Sequence, residues 1–529
     1  VSGTSRITSP LQVDQLRLMA ERFPDEVGYR VVREGQLTFA QWERDSNRLA
    51  RGLTGLGVAR GDRVAVQLDG TNGLRWVTTY CAAHKAGAAI VPLDARLSGN
   101  EVGRMVAHAR ITVLVGDGER VEAARSLARA ADSPLEWVVD AGRRPGVAAA
   151  DRVVGWDDVL DADGSEYQIE VGADDLADVL FTSGTTGKPK AVAIRHTNSS
   201  AVPNGEPHWS GERWVHASPQ STFAGVSFVF SPMKMGMTSV YLPKFDVDRW
   251  FDVVAEERPL AVFLVPAMVQ LLLVHPRFEE ADLGFVQICS VGSAPLSPSA
   301  VDRLQAKMPD ALVSNNYGMT EAGSVYCLMP KGEAVRRPGS VGKPAPPAQV
   351  RCVDDGGVEV PIGSLGRIEL HIPGRPREYL DDPEATASTW VDGWLRTGDI
   401  GRLDEEGYLY ISGRAKDVII RGGHNIHAVD VENVLATHEG VAEVAVVGVP
   451  HEVLGEDVVG VIVPRPGATL DPDELRAHAL EQLAGYKVPR RFEFVDHLPR
   501  NSAGKVLKAE LRTQLTGASD AGPSGGVAG

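Results

Sequence analysis

Residues 180–192 read LFTSGTTGKPKAV. An apolar run, Asp178–Phe181, leads into a loop of Ser183, Gly184, Thr185, Thr186, Gly187 and Lys188. Glycine lets a backbone approach an anion closely, and successive N–H groups can line a phosphate-sized concavity. The hydroxyls add donors, and Lys188 and Lys190 add positive charge. The loop is not a P-loop of the Walker type. That motif needs four residues between its glycines and Ser or Thr after the lysine. Here Pro189 follows Lys188, and Gly184 and Gly187 stand closer together. A Gly/Thr loop alone is as readily a surface turn.

Around this loop the chain alternates short apolar runs with helical patterns. The runs are RVAVQL (63–68), GAAIVPL (87–93), TVLVGD (112–117) and LEWVVD (135–140). Trp42, Leu49, Leu53 and Leu56 share one face of a predicted helix. Alternating β and α units predict an α/β fold with a largely parallel sheet covered on both faces. Such a sheet presents ligand loops at the carboxyl ends of its strands.

Beyond residue 415 the pattern changes. A helix near 430–438 precedes strands at 441–449 and 457–464, a helix at 472–484, a strand at 491–495 and a helix at 506–515. This predicts a separate α+β unit. The expected organisation is a large N-terminal domain of layered sheets and helices (1–415), a small C-terminal domain (416–512) and a disordered tail (513–529). The Gly-rich, charged stretch 413–423 suits a hinge.

Composition narrows the function. The 529 residues are 43% hydrophobic and 23% charged, which excludes a disordered or fibrous bulk. Basic residues number 54 and acidic ones 70, a formal charge of −16 that excludes nucleic acid and a polybasic membrane patch as partners. The four cysteines form no CxxC pair, so no thiolate zinc site is expected and a reducing, cytoplasmic location is. The opening VSGTSRITSP lacks an apolar signal core. The most apolar stretch, Pro259–Val274, is too short for a membrane span and reads as a buried helix or strand.

Further motifs follow in order: NNYGMTEAG (315–323), GWLRTGDIG (393–401), GRAKDVIIRGGHNI (413–426) and PRNSAGKVLK (499–508). Together with the first loop they resemble the adenylate-forming superfamily. That superfamily includes acyl-CoA synthetases, peptide-synthetase adenylation domains and beetle luciferases. The resemblance covers residues from about 10 to 512. It implies an enzyme that joins a carboxylate to the α-phosphate of ATP and expels pyrophosphate. Both reactants are anions, so the site must neutralise charge and hold them in line.

The resemblance also implies roles. Lys505, Thr185, Lys188 and Glu321 form its catalytic set. Thr185, Thr186 and Lys188 would hold the β- and γ-phosphates, with Ser183, Gly184 and Gly187 in the same loop. Gly292, Ser293, Ala294, Pro295, Asn316, Gly318 and Met319 would line the nucleotide. Thr320 would touch the α-phosphate, and Glu321 would hold Mg²⁺, a hard cation suited to carboxylate oxygens. Tyr317 would stack on adenine, Asp399 would accept the ribose hydroxyls and Arg414 would support them. Lys505 would bridge carboxylate and α-phosphate. The small domain would then rotate about Lys416, withdrawing Lys505 and bringing in Gly422 and Gly423, past which the pantetheine arm of coenzyme A runs.

Three features bear on the substrate. Thr222 stands where the family often has a histidine gate, beside Phe223, Ala224, Gly225 and Ser227. The small members predict a roomy, apolar acyl pocket. No Asp in that segment is available to pair an α-ammonium, which disfavours an amino acid. The compact spacing of Asp399 and Arg414 lacks the insertion of fatty-acid AMP ligases and favours coenzyme A as acceptor. Ala191 and Asp430 depart from the family's usual Gly and Glu without removing a needed charge. His424 and His427 read as surface loop residues rather than metal ligands. The expectation is an acyl-CoA synthetase for an apolar, bulky acid. Carrier-protein loading, luciferase-like oxygenation, a non-catalytic nucleotide binder and a homodimer stay open.

Overall fold

The structure is a computed structural model, and it describes residues 6–142, 152–182, 190–200, 202–294, 296–323, 327–501 and 504–517. The first loop's residues 183–189 and Pro295 therefore lie outside the described residues.

The runs singled out above are strands of one eight-stranded sheet. Arg63–Gln67 sits between Ala89–Pro92 and Val113–Gly116, both parallel to it. The sheet continues on one side through Trp137–Asp140 and Val153–Gly155. On the other side Ala89–Pro92 meets Leu176–Thr182, then Lys190–Arg195 and Glu378–Tyr379. Those last two pairings are antiparallel. Helices Gly73–Lys85 and Gly99–Ala109 connect consecutive parallel strands, and they are preceded by the helix Phe39–Gly55. Its start is fixed by Thr38, which accepts from the Gln41 N–H while the Gln41 side chain accepts from the Thr38 N–H. Its apolar face puts Trp42, Leu49 and Leu53 in the core.

A seven-stranded sheet packs beside the first, ordered Leu312–Asn315, Ile288–Val291, Ala261–Leu264, Arg213–His216, Thr238–Tyr241, Val27–Val31 and Gly35–Thr38. All its neighbours are parallel except the final hairpin. The Pro259–Val274 stretch supplies both a buried strand, Ala261–Leu264, and a helix, Pro266–Val274. Pro266 stands in the first turn, where its missing N–H costs nothing. Leu271 on that helix is exposed, so only part of the stretch is buried.

A third sheet is antiparallel and had no counterpart in the sequence reading. Its strands include Ser340–Pro344, Gln349–Val353, Gly366–His371, Trp394–Leu403 and Leu409–Arg414. The fourth holds Val418–Arg421, His424–His427, Val441–His451, Gly455–Pro464 and Arg491–Phe494. The helix expected at 472–484 stops at Leu480 in a run of turns, and the one expected at 506–515 spans Lys508–Gly517. Among the described residues, the apolar clusters after residue 418 share no member with those before it. No helix among the described residues is long and apolar enough to cross a membrane.

Candidate active site

Three parallel strands end side by side: Ala261–Leu264, Ile288–Val291 and Leu312–Asn315. The segments leaving them are those expected to line the nucleotide. The Gly292 N–H donates to the Leu264 carbonyl at 3.1 Å. A Cβ on Gly292 would stand 3.2 Å from the Phe263 ring, so the close approach favours glycine. Ser293 follows with a left-handed backbone, φ +75°, a conformation that non-glycine residues keep mainly where the surroundings impose it. Ala294 continues the turn. The Asn316 N–H donates to the Val291 carbonyl at 2.6 Å, and its Oδ1 accepts from the Ser314 hydroxyl. Beyond exposed Gly318, the N–H groups of Ala322 and Gly323 both donate to the Met319 carbonyl. That tight turn presents Thr320 and Glu321.

Asp399 enters from the antiparallel sheet. It pairs in register with Arg414 on the adjacent strand, and the Arg414 Nε lies 3.5 Å from its Oδ1. The Tyr317 hydroxyl donates to its Oδ2 at 2.6 Å. Burial pushes the Asp399 carboxyl up, while the Tyr317 bond, Arg414 and Lys505 oppose that shift. The Tyr317 phenol is held well above its ordinary value, by burial first and then by the Asp399 charge.

Lys505 comes from the other side. Its backbone N–H donates to the Asn501 Oδ1 at 2.9 Å, and a Cβ on neighbouring Gly504 would stand 3.3 Å from Val265. The ammonium is pushed down to about 8, by burial first and then by Arg414, against the pull of Asp399 and Asp417. Lys505 thus lies within electrostatic reach of Asp399 and Arg414, and Gly504 near Val265, although about 240 positions separate residues 265 and 505 along the extended chain.

On either side of the first loop, Thr182 and Lys190 pair in register. The Lys190 ammonium sits over the Tyr379 ring, 4.4 Å from its centre. The Tyr379 hydroxyl in turn donates to the Glu321 Oε1 at 2.9 Å. Ser183, Gly184, Thr185, Thr186, Gly187 and Lys188 themselves lie outside the described residues.

The acyl-pocket segment forms the helix Phe223–Met235. Thr222 caps it: its Oγ1 accepts from the Gly225 N–H at 3.1 Å and donates to the Pro219 carbonyl at 2.7 Å. The hydroxyl is therefore engaged with backbone. A Cβ on Gly225 would fall 2.0 Å from the Pro219 oxygen, so its small size serves a backbone contact and adds no pocket volume. The Ser227 hydroxyl donates to the Phe223 carbonyl. Ala224 packs with Trp214, Phe228, Phe263, Val265, Ala267 and Met268 in one apolar cluster, beside the Lys505 approach. His216 stacks on Phe228 and Tyr241, and burial pushes it down to about 3, so it adds no charge.

Lys416 sits in a short turn, Ala415–Asp417, with no buried member. Gly422 and Gly423 join Val418–Arg421 to His424–His427 as a two-residue hairpin turn, with φ of +57° and +84°. Two left-handed residues are what a tight hairpin of this kind demands. The glycine pair thus has a local reason in addition to any passage. His424 and His427 lie on that strand rather than in a loop, and His424 stacks on Tyr486. No cluster of three or more His, Cys, Asp or Glu among the described residues fits a metal ion.

Loops gathered at parallel strand ends, with a lysine brought in from a separate unit, are where an α/β sheet of this kind holds a ligand. Comparison with known proteins gives the family. A sequence profile described as AMP-binding enzyme matches residues 16–380, and one described as AMP-binding enzyme C-terminal domain matches 430–505. The chain is 36% identical over 500 residues to a feruloyl-CoA synthase of Amycolatopsis sp, covering 92% of this chain and 95% of that protein. It is 34% identical to a 3-[(3aS,4S,7aS)-7a-methyl-1,5-dioxo-octahydro-1H-inden-4-yl]propanoyl:CoA ligase of Rhodococcus jostii (strain RHA1), covering 90% and 94%. The ATP-bound crystal structure of MatB from Rhodopseudomonas palustris superposes with a TM-score of 0.82 at 31% identity, covering 96% of this chain and 98% of that one. The chain belongs to the AMP-binding enzyme family. It is an AMP-forming acid–thiol ligase, which activates a carboxylic acid with ATP and passes the acyl group to coenzyme A.

Arg377 and Tyr379 escaped the sequence reading. They belong to a two-residue strand and its approach, too short for any period to show.

Proposed function

We propose that this ligase activates an apolar, bulky acid, and that its two half-reactions divide among the residues as follows. Lys505 bridges the acid carboxylate and the α-phosphate during adenylation. Asp399 accepts the ribose hydroxyls, held by the Tyr317 hydroxyl, which puts that phenol on the ribose side of the adenine. Arg414 supports the same carboxylate. Thr320 meets the α-phosphate, while Thr185, Thr186 and Lys188 take the outer phosphates. Residues 416–512 act as a cap that turns about Lys416 for the second step.

The observation that best supports this reading is the Lys505 ammonium within electrostatic reach of Arg414 and Asp399, on a segment whose Gly504 leaves only 3.3 Å between a would-be Cβ and Val265. It is the arrangement adenylation needs, because two anions must share one cation. The apolar cluster of Ala224, Phe228, Phe263 and Met268 next to that lysine supports an apolar acid. The donor set also suits Mg²⁺: Tyr379 engages one oxygen of Glu321, and one carboxylate joined by phosphate oxygens is a usual magnesium environment. When bound, the ion neutralises phosphate charge as pyrophosphate leaves.

A pyrophosphate-release screen across carboxylic acids, with and without coenzyme A, tests the proposal. Apolar ring-bearing acids should give the highest kcat/KM, with a thioester only when coenzyme A is present. Preference for short polar acids would overturn the substrate class. Thioester formation on a carrier protein but not on coenzyme A would overturn the acceptor.

A further inference from the structure

Arg377 is almost fully buried. Its Nη1 donates to the Thr320 carbonyl at 2.8 Å, and its Nε donates to the Asn198 carbonyl at 3.1 Å. Its Nη2 reaches the carbonyl of Ser199 as well. The guanidinium also lies over the Phe223 ring, 4.9 Å from its centre. Two residues on, Tyr379 donates to Glu321. Arg377 and Tyr379 thus hold two consecutive residues, Thr320 and Glu321. Glu378 between them pairs with Arg195 at 2.9 Å.

The strand behind this grip is itself fixed. Glu378 and Tyr379 pair with Ala193 and Val192 of the strand leaving the phosphate loop. The Trp390 indole N–H donates to the Arg377 carbonyl at 3.1 Å. One short segment thus ties together the loop's exit strand, the turn at 196–199, the Thr320–Glu321 turn and the start of the acyl-pocket helix.

We infer that Arg377 and Tyr379 are positioning residues for adenylation: Arg377 sets the Thr320 backbone and Tyr379 sets the Glu321 carboxylate. The inference rests on the proposed roles of Thr320 and Glu321. A hydroxyl on one carboxylate oxygen leaves the charge in place and fixes its direction. That is how outer hydrogen bonds orient a group that must meet a metal or a phosphate. The Lys190 ammonium over the same ring adds positive charge behind the phosphate loop.

Tyr379→Phe isolates the effect, since the ring and its Lys190 contact stay and only the hydroxyl goes. ATP–pyrophosphate exchange should fall by about 10- to 100-fold, with KM for the acid unchanged. Mn²⁺ binding in the presence of a non-hydrolysable ATP analogue should weaken by a similar factor. Thioester formation from supplied acyl-adenylate should be unaffected. Arg377→Lys keeps a charge over Phe223 but loses the fork to the carbonyls, and should raise KM for ATP more than KM for the acid. Glu321→Gln separates the two levels. Full exchange by Glu321→Gln would overturn the proposed role of Glu321, and this inference with it. An inactive Glu321→Gln beside a Tyr379→Phe of wild-type exchange and Mn²⁺ affinity would overturn the inference alone. Tyr379→Phe added to Glu321→Gln should cause no further loss, as for two groups acting through one interaction.

Discussion

The two sides of the candidate site are built in opposite ways. On one side Thr320, Glu321 and Asp399 are held by Arg377, Tyr379, Tyr317 and Arg414, each at hydrogen-bond or ion-pair distance. On the other side the Lys505 N–H donates to the Asn501 side chain within its own unit, and a Cβ on its neighbour Gly504 would stand 3.3 Å from Val265. The first side is over-determined and the second is lightly docked. On the proposed division of roles, the contrast separates the groups that serve both half-reactions from the lysine that leaves between them. A residue that withdraws each cycle gains nothing from a dense network, because every added bond would have to break.

The largest effect should come from the light side. Lys505→Ala should lower adenylation by about 10²- to 10³-fold, the usual cost of losing one preorganised charge partner. Thioester formation from supplied adenylate should survive. Equal loss of both steps, measured separately, would erase the contrast. Lys416→Pro should do the reverse. A proline there fixes φ and restricts Ala415, so the second step should slow by about tenfold or more while the pyrophosphate burst persists. Tyr317→Phe probes the dense side. Losing one hydrogen bond to a charged group costs about 1.5–3 kcal/mol, so KM for ATP should rise roughly tenfold or more, with KM for the acid unmoved.

The smallest effect is a pH profile. Lys505 is pushed down to about 8, and only its protonated form can bridge two anions. The ammonium is present below that value and lost above it. In the free enzyme, kcat/KM for adenylation should halve near that pH and fall further in more alkaline buffer, whereas the second step should not follow it. Lys505→Arg should move the decline beyond the measurable range, since a guanidinium stays protonated. An unchanged profile would show that another group sets it.

Much of this contrast was readable in the chain. The parallel strands announced themselves because strands buried on both faces are continuous apolar runs, as in RVAVQL and TVLVGD. The motif residues Tyr317, Glu321, Asp399, Arg414 and Lys505 were found by resemblance, and the structure brings Tyr317, Asp399, Arg414 and Lys505 together and Glu321 beside Tyr379. The antiparallel sheet was not seen. Its Trp394–Leu403 strand alternates irregularly and carries two glycines, so a motif hid a strand. Thr222 stands where the family often has a histidine gate, and sequence position does not reveal that its hydroxyl is committed to a cap. The formal charge of −16 speaks against nucleic acid but does not decide for or against ATP. What matters for the nucleotide is the local arrangement: Lys190 over Tyr379 and Arg414 with Lys505 beside Asp399.

The capped turn at Thr222 and Gly225 also bears on how acid preference can change within this scaffold. With Thr222 tied to Pro219 and Gly225, and Gly225 pressed against Pro219, variation at either position disturbs the helix start before it alters the cavity. Ala224, Ala267 and Met268 are only partly buried and join the apolar cluster from outside its core. Mutational tolerance should therefore be concentrated in those walls. The entrance would stay constant while the chamber behind it is free to drift.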